Sequence, residues 1–166
     1  MTTRQKNYFM GLGLLFLQLL ASVALAQEAM VSIVLHPAGS FKVRSSAVTG
    51  AATKTSDGYQ ANNIVVDVRN VVTGISLRDT HTRKHLEVDK FPNVTLISAN
   101  GKGGQGVGVI KIKGIEQKIS GTYEVQGNMM SAHFSLKLSD FKIVGIKYMG
   151  IGVDDEVRVD VTVPVK

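Results

Sequence analysis

Along most of this chain apolar side chains return at every second residue, and that spacing limits its folds more than any other feature. Phe41, Val43 and Ser45 alternate with Lys42 and Arg44, and Val66 and Val68 with Asp67 and Arg69. Ile110 and Ile112 alternate with Lys111 and Lys113. Ala132, Phe134, Leu136 and Leu138 alternate with His133, Ser135, Lys137 and Ser139, and Val157 to Val163 with Arg158, Asp160 and Thr162. A period of two gives each strand one apolar and one polar face. Half-buried antiparallel strands read this way, whereas parallel strands read as continuous apolar runs. Composition agrees: residues 27–166 hold 21 Val and 11 Ile against 6 Leu. β-Branched side chains are stiff at χ1 and suit a pleated sheet better than a helix. The turn pairs Asp57-Gly58, Asn100-Gly101 and Gly127-Asn128 divide the runs. Their spacing predicts an all-β meander, sandwich or barrel.

The first 26 residues are written differently. They hold seven Leu, the cations Arg4 and Lys6, an apolar run from Tyr8 to Leu20, and the closing Ala24-Leu25-Ala26. A basic start, an apolar middle and an A-x-A site predict a secretory signal peptide cleaved after Ala26. An uncleaved anchor is the weaker reading, because a span needs about 20 apolar residues and this run contains glycines and Gln18. One domain over residues 27–166 is expected. Removing two cations leaves 17 basic against 13 acidic residues, a net charge of +4. With no block of like charge, no nucleic-acid partner is indicated. The chain has no cysteine, which excludes disulfides, thiolate metal sites, cysteine nucleophiles and a lipid-anchored N-terminus.

Ser76–Lys90 breaks the alternation. It is dense in charge, and Leu77, Leu86 and Val88 are its only large apolar residues. A short helix inserted between strands is expected there, ended by Pro92. On such a helix His81 and His85 share a face at i and i+4, and Asp79 could add a third metal ligand. No general-base Glu lies between the histidines, and Arg83 and Lys84 oppose a divalent cation, so a polar segment that shapes a barrel opening is the favoured reading. Gly101, Gly103 and Gly106 match G-x-G-x-x-G, but a strand follows where a dinucleotide site needs a helix. No serine stands in a recognisable nucleophile setting. Alternation leaves a filled barrel and a ligand-holding barrel equally open.

Four segments resemble the YceI-like family of exported bacterial proteins. They are Thr73–His81 (T-G-x-x-x-R-D-x-H), Lys90–Leu96, Ile112–Lys118 and Leu138–Ile143. Leu138 stands where the family often has Arg, Lys142 where it often has Gly, and Glu116 where it often has Thr. The resemblance implies a single lipocalin-like antiparallel β-barrel of about eight strands around an elongated apolar cavity. It implies a non-enzymatic periplasmic carrier, or an extracellular one, of a polyisoprenoid or other long-chain amphiphile, with no cofactor beyond that lipid. Strand parity then assigns Phe41, Val66, Val68, Leu96, Ile110, Ile112, Phe134, Leu136 and Leu138 to the cavity wall, with Arg78, Asp79 and His81 at its mouth. No membrane span is expected after signal cleavage, and a homodimer is possible. Two alternatives stand beside this: a metal- or haem-linked redox or stress protein using His81 and His85, and a secreted interaction module with a filled barrel.

Overall fold

The computed structural model describes residues 26–36, 39–148 and 150–166. The expected signal peptide falls almost wholly on residues 1–25, outside the described residues. The strands are β1 (Glu28–His36), β2 (Ser40–Ser45), β3 (Val48–Thr49), β4 (Ala52–Lys54), β5 (Tyr59–Asp67), β6 (Asn93–Lys102), β7 (Gln105–Ile112), β8 (Ile115–Gln126) and β9 (Met129–Lys137). They are followed by β10 (Lys147–Tyr148), β11 (Ile151–Val153) and β12 (Glu156–Pro164). Helix α1 spans Ser76–Leu86 between β5 and β6, and a 3₁₀ turn spans Leu138–Phe141.

The long strands form an antiparallel barrel in which neighbours in space are neighbours in sequence. β5 to β9 make a meander, β12 pairs with β9, β1 with β12, and β2 with β1. The seam between β2 and β5 is nearly closed. There β3 pairs with β5, the Ser45 hydroxyl donates to Asp67 O at 2.8 Å, and Arg44 and Val72 exchange backbone hydrogen bonds. Counting β3 as a stave, the barrel has nine strands. Closure satisfies the strand edges that an open sheet would expose. The alternating apolar residues turn inward, and Val157, Val159 and Val163 of β12 are all buried.

Two hairpins turn through paired residues of positive φ, Gly103-Gly104 and Lys113-Gly114. This backbone twist matches that of the flanking strands. Asn100-Gly101, one of the expected turn pairs, lies instead inside β6, opposite Gln60 and Tyr59. Gly101 is there for space: a Cβ would lie 2.5 Å from Tyr123 Cε1.

The inserted helix is shorter than the segment that signalled it. It stops at Leu86 because Glu87 takes a left-handed conformation (φ 51°), and the Glu87 and Val88 N–H groups fold back onto Lys84 O and Arg83 O. Pro92 lies five residues further on and does not end it. Asp79 in the first turn and Arg83, Lys84 and His85 in the last complement the helix dipole. Lys142, which follows the 3₁₀ turn, also has positive φ (55°). That conformation accounts physically for the suitability of glycine at this position.

Pairing between β8 and β9 runs only from Gly121↔Phe134 to Gln126↔Met129. Nearer α1 the two strands part, and a side cleft opens, lined by Ile119, Leu136 and Phe141. Phe141 is 1% exposed and belongs to a cluster with Ile110, Ile112 and Ile143. Ser139 anchors the turn that carries it, donating from its N–H (2.7 Å) and hydroxyl (2.6 Å) to the Asp155 carboxylate.

Candidate ligand-binding site

Inside the barrel is a cavity of about 290 Å³, at the lower edge of the ~300–1,000 Å³ usual for ligand pockets. The filled-barrel alternative is therefore not what the chain builds. Phe41, Val66, Leu96, Phe134, Leu136 and Leu138 point inward yet are only partly buried, because they face this void rather than one another. With Val68, Ile110 and Ile112, all nine residues assigned by parity line it.

Small residues hold the cavity open. One line of paired residues crosses the wall as Tyr59, Gly101, Gly106, Gly121, Phe134, Val159, Val31 and Val43. A second runs Ala61, Ala99, Gly108 and Ile119. All twelve of these residues border the cavity. Alternation singles out large inward residues, so it passes over these glycines and alanines, although they create the space.

Helix α1 crosses one end. Arg78, His81, Thr82, His85 and Leu86 line the cavity from a single face, at i, i+3, i+4, i+7 and i+8. Lys147 of β10 reaches the same end. Arg78 Cζ sits 4.1 Å from the Phe41 ring centroid, a cation–π distance, and its Nη2 donates to Thr73 O at 2.8 Å. Burial lowers the His85 pKa, and His81, Lys113 and Lys84 add to the effect, so the ring is held neutral. Among the described residues no Asp or Glu lines the cavity.

Asp79, expected at the mouth, is not part of the lining. Its carboxylate accepts hydrogen bonds from the Thr73 N–H (2.7 Å) and hydroxyl, which hold its pKa below the usual carboxylate range. It fixes the loop leading into α1. No side-chain cap bonds the helix N-terminus, so this link sets where the helix begins. Asp79 consequently does not join His81 and His85, and no group of three metal-ligating side chains occurs among the described residues. At the other end of α1, Lys113 Nζ meets Glu87 Oε1 at 2.6 Å, tying the helix to the β7–β8 turn. On the outer wall His133 Nδ1 lies 2.6 Å from Asp160 Oδ1, a cross-strand contact that the sequence reading missed.

The sequence profile of the YceI-like domain matches residues 22–165. The chain belongs to the YceI-like family. Solved structures similar to this YceI-like protein include BcnA of Burkholderia cenocepacia, at 17% identity and TM-score 0.63, with 81% of this chain and 94% of that one covered. A polyisoprenoid-binding domain from Saccharophagus degradans, implicated in plant cell wall breakdown, aligns at 14% identity and TM-score 0.60, covering 82% and 91%. A mutant CJ YceI protein with a monobromobimane guest aligns at 14% identity and TM-score 0.57, covering 75% and 84%. At these identities the likeness is one of fold. No curated protein matches the chain.

Proposed function

We propose that this YceI-like protein binds and carries a long-chain apolar amphiphile, a polyisoprenoid or another lipid, within the barrel. The apolar chain lies along the cavity and the polar head sits beneath α1. The role is carriage rather than catalysis, and its place is the periplasm, after removal of the N-terminal signal. One observation carries the reading: an apolar cavity lies within the barrel, with Arg78, His81, His85 and Lys147 gathered at one end and no carboxylate among the described residues of its wall. Burying a hydrocarbon chain there contributes about 0.8 kcal/mol per CH2, and the cationic end favours an anionic or strongly polar head. The polyisoprenoid named for the Saccharophagus domain supports the isoprenoid class.

Native mass spectrometry and lipid extraction of protein purified from a bacterial periplasm test the reading. A stoichiometric long-chain lipid is the expected result. Protein that emerges empty, and takes up neither an isoprenoid nor a fatty amide, overturns it.

A further inference from the structure

The end of the cavity opposite α1 is built from aromatic rings and absent side chains. Tyr59 and Tyr123 meet edge to face, with centroids 5.6 Å apart and planes at 73°. The Tyr123 ring rests on the bare backbone of Gly101. Beyond the two rings, toward β3 and β4, the barrel is packed. Val48 and Ala52 are 4% and 0% exposed and pack with Tyr59, Tyr123 and Val125. The tyrosines border the cavity, but Val48, Ala52 and Val125 do not, while Met130 and Val163 of the same cluster still border it from β9 and β12. On the side of β5 and β8 the void therefore stops at the tyrosines, and packed core begins there.

We propose that Tyr59 and Tyr123 form the floor of the tunnel and set the length of hydrocarbon chain that it holds. This rests on the lipid-binding reading and its orientation, with the head beneath α1. The inward-facing cationic groups Arg78 and Lys147 lie at the α1 end, so the tail of an amphiphile points toward the tyrosines. A tail gains contacts with each added carbon until it meets the rings. Further carbons then have to stay outside or displace packed core.

Gly106 gives an independent handle on the same floor. A Cβ there would meet Asn100 O at 3.6 Å and Tyr123 Cδ1 at 3.8 Å, which are ordinary contacts. A side chain at position 106 can therefore be accepted, and it would occupy the space directly above Tyr123.

The experiment titrates delipidated protein with a homologous series of straight-chain saturated fatty acids. In the wild type, affinity is expected to rise about fourfold per carbon, the equivalent of one buried CH2, and then to level off. Tyr123→Ala should move the plateau to longer chains, Gly106→Leu to shorter ones, and Tyr123→Phe should leave it in place. If Tyr123→Ala does not fold, the Gly106→Leu shift and the Tyr123→Phe control decide alone. An unmoved plateau in Gly106→Leu, or a wild-type affinity that climbs without limit, overturns the floor while leaving lipid binding intact. A wild type that binds no member of the series overturns the floor as a measure of chain length, and one that also takes up neither an isoprenoid nor a fatty amide overturns both.

Discussion

Replacing Ala99 by Leu tests whether the space inside the barrel is real. Ala99 sits on β6 between Ala61 and Gly108, in one of the two lines of small residues that border the cavity. Leucine adds three carbons there. If they enter the void, each is removed from water without displacing a neighbour, at about 0.8 kcal/mol apiece. Full burial stabilises the lipid-free protein by about 2.4 kcal/mol. The same carbons take room from a ligand chain, so a long-chain fatty acid should bind about 60-fold more weakly. A filled barrel gives the opposite sign, because added methylenes in a packed core cost about 1–3 kcal/mol. Urea unfolding of delipidated wild type and Ala99→Leu measures the first quantity, and titration with fatty acid measures the second. Destabilisation by more than 1 kcal/mol together with unchanged affinity would refute the reasoning.

Three further outcomes follow from the region around α1. Phe141→Ala should destabilise the protein by about 3–5 kcal/mol in the same urea assay, since Phe141 is 1% exposed in its cluster. Asp79→Ala should cost about 1 kcal/mol, the scale of a lost helix cap, and increase amide hydrogen exchange in residues 73–80, with the cavity lining left in place. His85 is neutral in the empty protein because burial lowers its pKa. A bound anionic head raises that pKa, so the bound state takes up a proton. Fatty-acid affinity should therefore strengthen as pH falls toward the lowered His85 pKa, below the ordinary His value, and His85→Gln should flatten this slope in a pH series of titrations. Arg78, His81, Lys84 and Lys113 share the region. His81 accordingly needs its own His81→Gln control.

What the sequence displays is the facing of strands. A two-residue period leaves a side chain only two directions, so assigning Phe134 inward also assigns Leu136 and His133, and the nine wall residues follow without knowledge of the closure. The exact end of α1 is not displayed. Its left-handed terminal residue is Glu87 rather than glycine, and a glutamate carries no such signal. The place of Asp79 is hidden for a related reason. In one dimension it belongs with Arg78 and His81, but on a helix it points about 100° away from Arg78, toward Thr73. His85 is visible as the i+4 partner of His81, but nothing local shows that its ring also borders the apolar chamber.

The glycines show why the rest stayed hidden. Within a strand, glycine costs roughly 0.5–1 kcal/mol relative to alanine, so a line of them needs a reason at each position. Gly121 has one in the backbone, since a Cβ would lie 2.2 Å from His133 O. Gly108 has another, at 2.7 Å from Ser98 O, and Gly101 has the Tyr123 ring. None of these neighbours is near in sequence, so no local pattern reveals them. Gly106 has no such obstruction, yet it stands in the same line, directly above the aromatic floor. Backbone geometry does not require glycine there, and packing would be improved by a larger residue. The requirement left is the empty volume itself. Gly106→Ala should therefore stabilise the lipid-free barrel, by about 0.5–1 kcal/mol, while weakening a chain that reaches the floor.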